Sequence, residues 1–124
     1  MTATTTVRHG VRVLHLPESG PAIAGEADAV DLLGQAFGEQ ARVVAVPIAR
    51  LTPDFTRLAS GVAGGIVQKF VNYGVRFVVV GPLDRHGAPT GPVADWVREA
   101  NRGRDLWLVA DLDELDGRLS GART

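Results

Sequence analysis

Cysteine is absent from the 124 residues of the sequence. Its absence excludes a disulfide framework, thiolate metal sites, iron–sulfur clusters and a cysteine nucleophile. The three histidines, His9, His15 and His86, lack the close spacing that is typical of a metal site. We therefore expect neither a bound metal nor a cofactor.

An excess of charge of either sign is also lacking. The sequence has 13 lysines and arginines against 14 aspartates and glutamates, a net charge of -1. A protein without a strong overall field is not expected to bind nucleic acid or an anionic membrane. The basic residues are also scattered along the sequence, as at Arg8, Arg12, Arg42, Arg50, Arg57 and Arg76.

Long apolar runs are missing too. No stretch approaches the length of about 18 apolar residues that a membrane-spanning helix needs. Residues 1–10 are polar and rich in threonine, and they lack the apolar core of a signal peptide. We expect a cytoplasmic location.

What the sequence does contain fits one globular domain. Apolar residues make up 45% of the chain and charged residues 22%, which is far from the composition of a disordered segment. Two domains would each be too small to bury a good core. We predict a single domain over residues 7–119, with a flexible N-terminus at residues 1–6 and a flexible tail at residues 120–124.

The first half of the chain predicts a hairpin, a helix and a strand. Residues 7–16 indicate two short strands around the turn Arg8-His9-Gly10. Residues 26–37 have apolar side chains at helical spacing. Residues 43–48 form an apolar, β-branched run that suits a strand covered on both faces.

The second half repeats the pattern of helix and strand. Helical spacing continues to Tyr73-Gly74, either as one helix from Pro53 or as a turn followed by a helix from about Ser60. Residues 75–80 give the clearest strand, and residues 93–101, 106–110 and 113–119 predict a helix, a strand and a last helix. The order β-β-α-β-α-β-α-β-α favours an α/β fold with a mixed, mostly parallel sheet of about five strands.

A series of short motifs resembles the bacterial family known as domain of unknown function 4180. The motifs are Leu51-Thr52-Pro53-Asp54-Phe55, Ser60-Gly61-Val62-Ala63-Gly64, Gln68-Lys69-Phe70, Asn72-Tyr73 and Glu99-x-Asn101-Arg102-Gly103. The resemblance covers roughly residues 7–115 and departs at Gly65, where the family usually has an acidic residue. It implies a fold and the placement of a site, but no activity.

The order of elements is also similar to that of the anti-sigma-factor-antagonist domains, called the STAS fold. In those domains a Ser-Gly pair at the start of the second helix is a phosphorylation switch. The pair Ser60-Gly61 lies near that place, so the resemblance makes Ser60 the expected site of any phosphoryl switch.

Candidate site residues lie mainly on the second helix. The glycine-rich stretch that contains Ser60, Gly61 and Gly64 predicts either an anion site at a helix N-terminus or close packing of Gly64 and Gly65 on a neighbouring helix. The later turns carry Gln68 and Asn72, which are one turn apart, with Lys69 and Tyr73 beside them. This second group is either a binding surface or a solvated face and helix end.

One further candidate, Asn101, lies at the end of the third helix. It suits a helix cap before Gly103. Because this turn leads into the last strand, its polar groups are also placed to rim a cleft.

The catalytic equipment of common enzymes is not evident in the sequence. No serine lies in a nucleophile elbow, and no base is placed beside Ser60. We therefore predict a non-enzymatic binding or regulatory module that acts through the helix of residues 60–73 on a protein partner or a small polar or anionic ligand. The alternative is a small enzyme with a pocket of Gln68, Asn72, Tyr73 and Asn101. A homodimer face that includes Trp96 is a further alternative.

Overall fold

The structure is a computed structural model that describes residues 3–82 and 91–121. The predicted polar loop at residues 83–90, which contains His86, lies outside the described residues, as do residues 1–2 and 122–124. In the described part of the chain, no helix is long and apolar enough to cross a membrane.

A five-stranded sheet runs through the centre of the fold, with its strands in sequence order. The first pair is antiparallel, and every later pair is parallel. The strands are β1 (Thr4–Arg8), β2 (Val11–His15), β3 (Val43–Pro47), β4 (Arg76–Val80) and β5 (Leu106–Val109). The predicted α/β class, with its mixed and mostly parallel sheet, is confirmed.

The predicted opening hairpin is present, but its turn has two residues and not three, because Arg8 still belongs to β1. His9 and Gly10 both have positive φ angles, of 52° and 79°. Two successive positive φ values characterise the tight turn whose twist matches that of paired strands. Strand β1 begins at Thr4, three residues before the predicted start of the domain, because Thr4 to Thr6 pair with residues 13–15 of β2.

Four α-helices follow the strands in the predicted order. They are α1 (Glu26–Gly38), α2 (Val62–Asn72), α3 (Gly91–Arg102) and α4 (Leu112–Gly121). Three short 3-10 turns, Ile48–Arg50, Pro53–Phe55 and Leu58–Ser60, lie between β3 and α2. The second of the two alternatives for this region is therefore correct: turns come first, and the helix starts just after Ser60.

The helices cover the sheet unequally. Consecutive parallel strands joined by right-handed crossovers place their connecting helices on one face. Accordingly, side chains of α1, α2 and α3 pack in one hydrophobic cluster, to which α3 contributes Trp96, Val97 and Ala100. Helix α4 packs in a second cluster, which also contains Val13, Ala45, Val78 and Trp107. Thus α4 alone contributes helical residues to the second cluster among the described residues.

Strand β4 is central to both clusters. Phe77 and Val79 belong to the first cluster and Val78 to the second, and all three are fully buried. Burial on both faces explains the nearly continuous apolar run that predicts this strand. At the other end of the chain, α4 extends to Gly121, two residues beyond the predicted end of the domain.

Candidate functional site

Arginines gather where the parallel strands begin. Parallel strands start at the same edge of a sheet, so residues that precede them become neighbours in space. The backbone N–H of Arg42 donates to the carbonyl of Arg12 at 3.0 Å, and that of Arg76 donates to the carbonyl of Arg42 at 2.9 Å. Residues about 30 positions apart in the sequence therefore lie side by side.

A groove of about 910 Å³ opens at this edge. Its charged lining residues are Arg42, Arg76, Arg102, Arg104, Arg118 and Asp105. Five arginines against one aspartate give the lining a formal charge of +4, in a protein whose net charge is -1. We call this feature the arginine groove.

Trp107 organises the floor of the arginine groove. It is 4% exposed, and its indole N–H donates to the Gly103 carbonyl at 2.8 Å. The guanidinium carbons of Arg76 and Arg118 lie 4.0 and 4.4 Å from the centroid of its ring. A guanidinium group stacks well on an aromatic face, so both cations are held in place by one ring.

The held cations have only part of their hydrogen-bonding capacity occupied. Arg76 donates through Nε to the carbonyl of Arg104, and Arg118 donates through an Nη atom to the carbonyl of Asn101. The Nε atom of Arg118 is buried and has no hydrogen-bond partner among the described residues. A guanidinium group has five N–H donors, so donors remain for a ligand.

Electrostatic repulsion acts on Arg76. Partial burial and the nearby charges of Arg104 and Arg118 lower the pKa of Arg76 below its ordinary value, and Asp105 offsets part of the effect. Arginine keeps its charge at neutral pH even so. Burial is the largest cause of the lowered pKa, and the charges of Arg104 and Arg118 add to it, so an anion beside these three arginines would be stabilising.

Asn101 lines the arginine groove, but its side chain serves the sheet. Its amide nitrogen donates to the carbonyl of Leu108 at 3.2 Å, and its amide oxygen accepts from the Leu108 N–H at 2.8 Å. Strand β5 is an edge strand among the described residues, so the amide pairs both backbone groups of Leu108 on the side where no described strand lies. The sequence-based prediction that this turn rims a cleft agrees with the position of Asn101 and Arg102.

Ser60 and Gly61 form the turn that starts α2. The Ser60 hydroxyl lies 2.7 Å from the carbonyl oxygens of both Asp54 and Arg57, and it accepts from the Val62 N–H at 3.2 Å. Gly61 has a φ angle of 75°, which favours glycine. Phosphorylation of Ser60 would disrupt these local contacts. The phosphoryl switch suggested for Ser60 stays a prediction.

The two glycines inside α2 differ in their surroundings. A Cβ atom at Gly65 would lie 3.1 Å from Cγ of Glu26 at the start of α1, so the close packing predicted there is confirmed. A Cβ atom at Gly64 would meet nothing within 4 Å, so the packing prediction is wrong at that position. Lys69 forms an ion pair of 3.7 Å with the same Glu26.

The later turns of α2 carry the exposed polar residues. The side chain of Gln68 donates to that of Asn72 at 2.9 Å, and both residues are exposed. Tyr73 makes an edge-to-face contact with Phe37 of α1, with ring centroids 5.5 Å apart. The arginine groove is lined by Asn101 but not by Gln68, Asn72 or Tyr73, so it does not join the four members of the pocket named as the enzymatic alternative.

A second groove, of about 640 Å³, lies at the opposite edge of the sheet, where the parallel strands end. It is lined by His15, Glu18, Asp111 and Asp113 together with apolar residues. Asp111 accepts from the N–H of Glu114 and Glu114 accepts from that of Ala110, at 2.8 and 3.0 Å, so side chains already cap the start of α4. The groove is therefore acidic and offers no anion site at that helix.

The surroundings of His15 at this second groove disfavour its charged form. Burial, and to a smaller extent the charge of Arg8, lower the pKa of His15 below its ordinary value. Its Nε2 atom lies 2.7 Å from the Thr6 hydroxyl. Within residues 3–82 and 91–121, no group of three or more histidine, aspartate and glutamate side chains is arranged to hold a metal ion.

Except for Asn101, the residues of the arginine groove were not predicted as site residues from the sequence. Arg42, Arg76 and Arg104 lie within two residues of the start of β3, β4 and β5. Three arginines close to the starts of successive parallel strands are the signal that would have found the groove. Trp107 and Arg118 carry no such signal, because only the fold brings β5 and α4 together.

Comparison with known proteins identifies the family. A family profile described as Domain of unknown function (DUF4180) matches residues 8–119, and the chain belongs to this family. No curated protein and no solved structure matches the chain significantly. The suggested similarity to the STAS fold is therefore not confirmed.

Proposed function

We propose that this member of the family is a non-enzymatic binding module that takes up a small anionic ligand in the arginine groove. The observation that carries the proposal is the concentration of five arginines against one aspartate in a single concave site. A small anionic ligand is one of the two partner classes that the sequence predicts. The arginine groove differs, however, from the predicted location on α2.

Arginine suits this task better than lysine does. Its planar guanidinium group forms two parallel hydrogen bonds with a carboxylate or a phosphate. The pair of Arg76 and Arg118 is oriented in advance by Trp107, so less conformational entropy is lost when a ligand binds. A bound anion would also offset the repulsion from Arg104 and Arg118, which adds to burial in lowering the pKa of Arg76.

The chemistry of the lining favours binding over catalysis. Among the described residues that line the arginine groove, Asp105 carries the one carboxylate, and none carries a hydroxyl, a thiol or an imidazole. Asp105 is exposed and lines the groove together with five arginines. Such a lining supports electrostatic recognition and offers few groups for proton transfer.

A second candidate function is binding of a protein partner through α1 and α2. The pair of Phe37 and Tyr73 is 51% and 58% exposed, and Val30 and Val71 on the same two helices are exposed as well. Exposed aromatic and aliphatic side chains next to an amide pair are typical of partner surfaces. This candidate surface includes residues 60–73, the region through which the sequence predicts binding. The cytoplasmic location stays a prediction.

Thermal unfolding in the presence of anions tests the first proposal. We expect citrate and orthophosphate to raise Tm above that in chloride at constant ionic strength. A ligand at about 100 times its Kd stabilises the native state by about 2.7 kcal/mol, which corresponds to roughly 10 °C for a domain of this size.

Two charge variants locate the effect. Arg104 lines the arginine groove and is exposed, so Arg104→Gln should fold normally and reduce the rise in Tm. Arg57 is also exposed, pairs with Asp54 and does not line the groove, so Arg57→Gln is the matched control. An equal rise in Tm for both variants would locate anion binding elsewhere.

A further inference from the structure

We infer, resting on the proposed function, that the group recognised in the arginine groove is a diphosphate, meaning two linked phosphates. The inference concerns the chemistry of the ligand rather than the existence of the site. It rests on the charge of the lining, the arrangement of the donors and the surroundings of the one tryptophan in the groove.

Charge matching favours more than one phosphate. The lining carries a formal charge of +4. One phosphate group has a charge of about -1.5 to -2 near pH 7, so two supply about -3 to -4. A single phosphate would leave about half of this formal charge unmatched, and a single carboxylate would leave most of it unmatched.

The donors fall into two sets. Arg76 and Arg118 stack on Trp107, and the buried Nε of Arg118 lacks a partner among the described residues. Arg42 and Arg104 line the same groove with exposed side chains, and so does Arg102, which is already paired with Glu99 at 3.4 Å. The fixed pair suits one phosphate and the exposed pair suits the second, because each set provides bidentate donors.

The aromatic group in the groove does not provide a platform for a nucleobase. Recognition of bases by stacking needs an accessible aromatic face. Trp107 is only 4% exposed, and two guanidinium groups lie over its ring. We therefore assign recognition to the phosphate groups, whatever group carries them.

Isothermal titration calorimetry of the full chain, without divalent cations and at constant ionic strength, tests the inference. The probes are inorganic pyrophosphate, orthophosphate, citrate and ADP. We expect pyrophosphate to bind at least tenfold more tightly than orthophosphate and than citrate, which has a comparable charge on carboxylates. Arg104→Gln and Arg118→Gln should each weaken pyrophosphate binding by tenfold or more, and Arg57→Gln should leave it unchanged.

The outcomes separate the two proposals. Citrate binding in the groove as tightly as pyrophosphate would overturn the diphosphate and leave anion binding intact. Absence of binding by all four probes would overturn both. If ADP binds as tightly as pyrophosphate, the inference is supported and the diphosphate is carried by a nucleotide. If ADP binds more weakly than pyrophosphate, the inference is supported and the diphosphate is free or carried by another group. If circular dichroism shows that the Arg118→Gln protein is unfolded, pyrophosphate binding by the Arg104→Gln protein alone decides the test, because the Arg104 side chain is exposed.

Discussion

Removal of the Asn101 side chain should destabilise the edge of the sheet. The amide makes two hydrogen bonds with the backbone of Leu108, one as donor and one as acceptor. Asn101→Ala removes both while keeping the Asn101 carbonyl that accepts from Arg118. The substitution therefore isolates the contribution of the amide from that of the turn.

The expected loss follows from the burial of Leu108. This residue is 5% exposed, so water has little access to its N–H and carbonyl groups. An unsatisfied buried polar group costs about 1–3 kcal/mol. In the variant, water can reach the N–H and carbonyl of Leu108 in part, because β5 is an edge strand, so their combined cost is smaller than twice the cost of one group. We expect Asn101→Ala to lower the free energy of unfolding by about 2–4 kcal/mol. For a domain of this size the decrease in Tm would be roughly 10 °C.

Urea unfolding and hydrogen exchange at the Leu108 amide measure this loss. The matched control is Asn72→Ala, which removes an amide whose partner, Gln68, is exposed. Exposed substitutions change stability by about half a kcal/mol or less. An Asn101→Ala protein with the stability of the control and an unchanged exchange rate at Leu108 would refute the role assigned to this amide.

Three other substitutions test the core, α2 and the second groove. Val79→Asp should abolish folding by placing a carboxylate at a fully buried position, with a loss above about 4 kcal/mol, and a Tm within a degree or two of the parent would contradict the position of β4. Gln68→Ala combined with Asn72→Ala should leave Tm nearly unchanged, and a loss of several kcal/mol would show that these amides are buried. The pKa of His15 is lowered in the folded state, so the unfolded chain takes up the proton first and the free energy of unfolding falls as the pH drops through about 6.5. His15→Gln should weaken that fall, and pH-dependent urea unfolding with identical slopes for both proteins would contradict it.

The sheet was predictable because its signals are local. Residues 75–80 form an apolar run that only Arg76 interrupts, and burial on both faces requires such a run. The start of α2 was harder to predict, because Phe55 and Leu58 continue the helical spacing although they lie in 3-10 turns. A tight turn buries Phe55 as completely as a helix would, whereas Leu58 is 37% exposed, so helical spacing alone did not separate the turns from the helix.

The arginine groove was not predictable from composition. The net charge of -1 is a sum over the whole chain, and it conceals the formal charge of +4 on the residues that line the arginine groove. Arg42 and Arg76 are scattered in the sequence, and the parallel pairing of β3 and β4 brings them together. Asn101 lines the arginine groove, but its role in a binding site stays a prediction, and its pairing with Leu108 depends on β5 being an edge strand.

A heteronuclear NMR titration of the full chain with inorganic pyrophosphate tests the central claim most directly. The arginine Nε–H groups and the indole N–H of Trp107 report on the groove itself. We predict the largest shifts at the Nε–H of Arg118, the indole of Trp107 and the backbone of Arg104, with α2 nearly unchanged. Largest shifts on residues 60–73, or shifts without a common saturation point, would contradict anion binding in the arginine groove.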